Sequence, residues 1–147
     1  MSKIHPWLIV IMRIILGVVF VYASIEKIID PAKFARNISN YHIVPLGSEN
    51  LIAIILPWIE LLIGTGLILG FCVNGGTFIS ASLLIIFNLL IMQAIIRGYN
   101  IECGCGLKEG EMVGWTKFFE NILLLFFAYL IYIRKNMTLE VFPKSAL

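Results

Sequence analysis

The sequence predicts an all-α fold, an integral membrane four-helix bundle, and three observations carry that prediction. Hydrophobic residues make up 60% of the 147 residues and charged residues only 14%. The mean hydropathy of +0.96 lies far above what a soluble domain with a polar coat would carry. The 11 basic and 9 acidic residues sit mostly in short connecting stretches, so the charges mark loops and the bilayer is the solvent for the rest. A net charge of +2 with no basic cluster gives no footprint for nucleic acid.

Crossing a hydrocarbon core of about 30 Å takes roughly 20 mainly apolar residues. Four stretches come close to that: 7–25, 51–71, 76–96 and 115–133. Each is bounded by charge, proline, glycine or an interfacial aromatic, as expected where backbone leaves lipid and meets water again. The first stretch resembles a signal peptide in outline, with a basic start and an apolar run ending in Tyr22-Ala23-Ser24. Arg13 interrupts that run, and its length favours a retained first helix. The whole of 1–147 therefore reads as a single membrane domain.

Between the first two spans, Asp30-Pro31 supplies an N-cap acceptor followed by proline at the first helical position. A short helix should follow. Phe34 and Ile38 fall on one face and Lys33, Arg36 and Asn37 elsewhere, which suits an amphipathic helix at the membrane interface. In the second span, Pro57 predicts a bend, and Gly64 with Gly66 predicts close helix approach. An even number of crossings puts both termini on one membrane face and the loops 26–50 and 97–114 on the other. Lys3, Arg13, Arg134, Lys135 and Lys144 lie towards the terminal side, against Lys27, Lys33, Arg36, Arg97, Lys108 and Lys117 towards the loop side. With so near-even a split, the positive-inside rule leaves the orientation open.

Ionisable residues at membrane depth usually face the bundle interior and pair. Arg13 and Glu60 are the two that qualify by position. At about 1.5 Å rise per residue they sit some 9 Å and 13 Å from opposite surfaces, so in a 30 Å core their levels differ by about 8 Å. The expectation is an Arg13–Glu60 ion pair, with Arg13 snorkelling to the surface as the alternative. A protonated Glu60 would instead donate to Asn88 at similar depth. Nearer the loop-side surface, Lys27, Gln93, Glu120 and Asn121 are candidates to line a polar vestibule. Ordinary solvated helix ends are the competing reading for Lys27 and Glu120.

The loop between the third and fourth spans carries Glu102-Cys103-Gly104-Cys105-Gly106. Cys103 and Cys105 are the candidate catalytic residues. A Cys-x-Cys pair can close a tight disulfide ring, for which Gly104 frees the backbone. A strained bridge of that kind is readily reduced and suits a disulfide that is passed on. Two thiolates also bind a soft metal such as Cu(I) or Zn, with Met112 as a further ligand, although two sulfurs alone make an incomplete zinc site. Inert loop thiols are the third reading. Cys72 falls on the opposite face and is expected to pack as a small hydrophobe.

Over nearly its whole length the chain resembles the MauE/DoxX family of redox-associated membrane proteins. The matching features are Arg13 with Leu16-Gly17, Tyr22-Ala23-Ser24 with Lys27, Asp30-Pro31 with Phe34, and Asn40-Tyr41 with Pro45. They continue with Leu56-Pro57 and Glu60-Leu61, then Cys103-Gly104-Cys105-Gly106 followed by Val113-Gly114-Trp115 and Asn121. The chain departs from the family pattern at Gly106-Leu107, where an aromatic often follows the second cysteine. The resemblance implies a Cys-x-Cys loop outside the cytoplasm of a bacterial cytoplasmic (inner) membrane, with cytoplasmic termini. MauE-like members are implicated in maturing the disulfide-rich small subunit of methylamine dehydrogenase with a thioredoxin-like partner. DoxX-like members are associated with quinone-linked respiratory oxidation of sulfur compounds.

The leading expectation is a membrane thiol-disulfide relay in which Cys103 and Cys105 exchange a disulfide with a thioredoxin-like protein outside the cytoplasm, with an apo-enzyme as client. Electrons then need a sink, and a quinone docking among Trp115, Phe118 and the span ends is a candidate that no residue specifies. A non-catalytic membrane subunit or scaffold and soft-metal delivery are the rival readings.

Overall fold

The computed structural model describes residues 5–42, 45, 47–98, 114–134 and 140. Within them the chain forms five helices: α1 (Pro6–Ile29), α2 (Pro31–Asn40), α3 (Ser48–Leu69), α4 (Val73–Ile96) and α5 (Trp115–Tyr132). All but α2 are long and apolar enough to cross a membrane. The chain is a multi-pass membrane protein.

Each crossing helix buries a stripe that repeats by steps of three and four residues. In α1 the stripe is Ile9, Arg13, Leu16, Phe20, Ala23 and Lys27; in α3, Ala53, Pro57, Glu60, Gly64 and Leu67. In α4 it is Val73, Thr77, Ser80, Leu84, Asn88 and Ile91, and in α5 Lys117, Asn121, Leu124, Ala128 and Ile131. This spacing keeps one seam of each helix turned inwards in a bundle of nearly antiparallel helices. The helices close in a ring, α1 packing on α3 and α5 while α4 packs on the same two. Leucines, isoleucines and phenylalanines on the outward faces remain exposed, among them Leu62, Leu89 and Phe119. In lipid those faces need no cover.

The tightest pairing is α1 with α3. A Cβ on Gly17 would sit 2.7 Å from the Gly64 carbonyl oxygen, and one on Gly64 would sit 2.7 Å from that of Gly17. The two backbones therefore touch, as small residues permit when lipid offers no hydrophobic drive for association. Gly64 fulfils the packing role read from the sequence. Gly66 does not stand at a helix interface; its carbonyl accepts the Phe71 N–H at 2.8 Å as α3 ends. Gly70 caps that end at φ 78°, a left-handed conformation open to glycine without strain.

Asp30 caps α2 as expected, its Oδ1 accepting the Lys33 N–H at 2.9 Å. The apolar face of α2 is taken up by the protein, with Phe34 and Ala35 buried against Ala53 of α3. This helix thus caps the loop-side end of α1 and α3, where the sequence suggested contact with the bilayer surface. The first span also runs further than its apolar run, to Ile29, because Lys27 is buried and paired within the bundle and does not mark the helix end. α3 continues through Pro57, which lacks the N–H that would otherwise bond the Ala53 carbonyl.

Candidate functional site

The loop-side half of the bundle holds a buried ion pair. Lys27 Nζ donates to both carboxylate oxygens of Glu60 at 2.7 Å, and the two residues are 4% and 2% exposed. The partner of Glu60 is Lys27, which corrects the expected Arg13–Glu60 pair. The reason lies in helix geometry. Side chains lean towards the N-terminus of their own helix. α1 and α3 run antiparallel, so Lys27 leans from the loop side into the bundle and Glu60 leans out to meet it. Taking the Gly17–Gly64 contact as a common level, Glu60 lies about 6 Å to the loop side of it and Arg13 about 6 Å to the terminal side. Arg13 also leans away.

Helices α2, α4 and α5 shape the surroundings of this pair. The Lys27 ammonium lies 5.0 Å from the ring centroid of Phe34 on α2 and 5.0 Å from that of Phe87 on α4. Cation–π attraction of this kind strengthens where water is excluded. Lys117 and Asn121 of α5 complete the group. Lys117 is 5% exposed, and its Nζ donates to Glu120 at 2.8 Å. Glu120 is the solvent-facing partner, with 44% of its side chain exposed. Together Lys27, Glu60, Lys117 and Asn121 line the polar part of a cavity of about 40 Å3, closed towards the membrane centre by Phe20, Leu84 and Leu124.

The expected vestibule therefore exists in altered form. Lys27 and Asn121 are brought together, and Glu120 reaches the group through Lys117. Gln93 does not join it, being half-buried on α4 away from the cavity. Asn88 is buried, yet it makes no hydrogen bond to Glu60, and its Oδ1 accepts none among the described residues. Lys117 was missed by reasoning from charge alone. Its signal is the spacing to Asn121, Leu124, Ala128 and Ile131, which places it on the buried seam of α5.

A second polar cluster closes the terminal-side end. Arg134 donates through Nε and Nη2 to the two oxygens of Glu140 at 2.5 and 2.6 Å. Its Nη1 reaches Asn74 Oδ1 at 3.0 Å and the Ile131 carbonyl at 2.6 Å. Arg13 is 3% exposed and lies within the electrostatic reach of Glu140 and Arg134. Its charge is thus answered at its own end of the membrane. Cys72, in the turn before α4 on this side, is exposed and holds φ 46°, so it does not pack as a core residue.

Cys103, Cys105 and Met112 lie outside the described residues. Their loop runs between α4, whose described end is Gly98, and α5, whose N-cap is Gly114. It therefore joins the bundle on the face where Lys117 and Glu120 lie. Among the described residues no three His, Cys, Asp or Glu side chains gather as metal ligands. The polar cavity has room for roughly two or three waters, whereas Trp115, Phe118 and Phe119 pack on one another with ring centroids 5.7 to 6.4 Å apart.

Comparison with known proteins matches residues 5–134 to the family model of methylamine utilisation protein MauE. The chain is 28% identical over 125 residues to the methylamine utilisation protein MauE of Paracoccus denitrificans, covering 82% of this chain and 66% of that protein. It is 28% identical over 109 residues to the protein of that name from Methylorubrum extorquens, covering 71% and 59%. For the Paracoccus versutus protein the values are 27% over 117 residues, covering 77% and 62%. The chain thus spans about two thirds or less of the length of these relatives. No solved structure matches it significantly.

Proposed function

We propose that this chain, which belongs to the methylamine utilisation protein MauE family, is a thiol-disulfide relay of the bacterial cytoplasmic membrane. It passes a disulfide through Cys103 and Cys105 to a soluble thioredoxin-like protein outside the cytoplasm, in support of maturing an extracytoplasmic client. By the names of its relatives, that client belongs to methylamine utilisation. The observation that carries this reading is the Cys103-Gly104-Cys105 spacing in the single connection between α4 and α5. Two thiols one residue apart in a glycine-flanked loop form a bridge under strain, and strained bridges exchange readily.

The exchange step itself balances, and regenerating the Cys103–Cys105 disulfide afterwards requires an electron acceptor in the membrane, for which a quinone is the candidate. A thiolate of the reduced partner attacks one sulfur of the Cys103–Cys105 disulfide, and the other sulfur leaves as thiolate. The partner's second thiolate then attacks the mixed disulfide. The partner gains the disulfide, and Cys103 and Cys105 end as the dithiol, with two electrons and the matching protons transferred. Lys108, three residues after Cys105, brings positive charge into the loop itself, and positive charge near a thiol favours the thiolate. The buried Lys27–Glu60 pair ties α1 to α3 beneath the α2 cap. The termini are then cytoplasmic.

A scaffold that holds the partner or the client without thiol chemistry is the rival, and the cover that α2 provides over the loop-side end favours it as a docking surface. Replacing Cys103 and Cys105 together by serine separates the two. A relay loses client maturation while the protein stays in the membrane; a scaffold retains both. Maturation unchanged in the double serine variant would overturn the relay.

A further inference from the structure

The outward faces of α4 and α5 leave a groove of about 560 Å3 between them, within the size range of small-molecule sites. Its floor is made of small side chains: Thr77 and Ala128, both fully buried, and Ala81 one turn further along α4. The Thr77 hydroxyl donates to the Val73 carbonyl at 2.6 Å, so the floor presents an apolar surface. The rim is bulky. Phe78 and Ile85 from α4, with Ile122 and Phe126 from α5, each expose 40% or more of their surface.

Height and width select the occupant. Thr77 to Ile85 spans about 12 Å along α4, and Ile122 to Tyr132 about 15 Å along α5. One leaflet of a hydrocarbon core of about 30 Å is about 15 Å deep. Because α5 ends at Tyr132, the groove begins at the terminal-side surface and stops near the bilayer centre. A partner helix crossing the membrane would need contact over about twice that height. Helices also approach closely where small residues form the contact surface. Here the small residues are sunk behind aromatic and branched rims, which keep a helix of about 10–12 Å diameter off the floor. An extended hydrocarbon chain reaches it. Tyr132 stands at the terminal-side mouth, at the level where amphipathic rings meet lipid headgroups.

We propose that this groove holds one acyl chain of a diacyl phospholipid from the terminal-side leaflet, bound as a resident lipid and not as exchanging solvent. The chain fills the contact that α4 and α5 do not make with each other over that half of their length, and dispersion contacts with the floor and rims hold it. The site does not depend on whether the cysteines relay a disulfide. It ends about 10 Å short of Trp115, where α5 begins, so a quinone ring beside the Cys103–Cys105 loop would lie beyond it.

Native mass spectrometry tests the assignment on the full chain, reconstituted into vesicles of palmitoyl-oleoyl phosphatidylethanolamine and phosphatidylglycerol and then extracted into mild detergent. The expected spectrum carries one phospholipid on each chain. Ala81→Phe places a ring on the groove floor and should weaken lipid retention about tenfold. Leu62→Phe, on the exposed face of α3, should leave it unchanged. Ile85→Trp narrows the rim without entering the core, and the same loss is expected from it where Ala81→Phe fails to fold. A chain that emerges without lipid, equal retention in the parent and the groove variants, or as great a loss in Leu62→Phe would overturn the proposal. So would a dimer of the chain that the groove variants dissolve.

Discussion

The two ends of the bundle solve one problem in different ways. Each buries a carboxylate among two cations: Glu60 with Lys27 and Lys117 at the loop side, Glu140 with Arg134 and Arg13 at the terminal side. At the terminal side the carboxylate comes from beyond the last crossing helix and Arg134 grips it with two nitrogens while also holding Asn74. Arginine suits this arrangement because its fork fixes direction. At the loop side the carboxylate comes from the middle of α3, its partner is a lysine, and a cavity is left beside them. The first end is a clasp; the second keeps room for water. The difference teaches that helix direction assigns partners more strongly than depth does, since side chains leaning towards their own N-termini meet across α1 and α3 only at Lys27 and Glu60.

The largest expected effect breaks the loop-side pair. Glu60→Leu alone should lower stability by about 3–5 kcal/mol, because it strands a buried ammonium, whereas Lys27→Met with Glu60→Leu should recover most of that loss. Reversible unfolding in mixed micelles measures both. The same series sharpens the contrast with Arg13: Arg13→Met and Glu60→Leu should add to within about 0.5 kcal/mol, as independent sites do. A coupling well above that would restore the pair that depth alone suggested.

Glu140→Gln should weaken the terminal-side clasp by about 1.5–3 kcal/mol, the range for hydrogen bonds to charged groups, and the same unfolding assay reads it. Gly64→Ala tests the contact that sets both ends in register. Its Cβ would meet the Gly17 carbonyl at 2.7 Å, so the helices must part, at about 1–3 kcal/mol.

The smallest effect concerns the α2 cap. Burial pushes the Tyr41 phenol up to about 12, above the ordinary value near 10. Ionisation is thus disfavoured in the fold. The contribution of Tyr41 to stability is complete below about pH 10 and is lost as pH rises through 12. Alkaline unfolding monitored by helical signal should therefore come later in Tyr41→Phe than in the parent.

Much of this was legible in the sequence. Four apolar stretches gave the four crossings because lipid demands length and apolarity above all, and Asp30-Pro31 gave the start of α2 because capping chemistry is local. The candidate site was legible only in part. Lys27 and Glu120 were placed near the loop-side surface, but Lys27 looked like a helix end because a charge at the end of an apolar run usually is one. The stripe that joins Arg13 to Lys27 through Leu16, Phe20 and Ala23 shows that both face inwards, and the buried seam of α5 does the same for Lys117. Glu140 carried no such signal, since it reaches Arg134 from beyond the helix. What periodicity could not supply was which inward charges meet, because that depends on the direction in which each side chain leans.

The two faces also differ in their thiols, and this supplies the most direct test of the functional account. Cys72 is exposed at the terminal side, while Cys103 and Cys105 belong to the loop side by the order of the helices. Intact cells are treated with a membrane-impermeant alkylating reagent before and after mild reduction, and each cysteine is scored by mass spectrometry. The account predicts that Cys103 and Cys105 become labelled only after reduction, reversibly, and that Cys72 stays protected until the membrane is permeabilised. Free loop thiols before reduction, or labelling of Cys72 in intact cells, would contradict it.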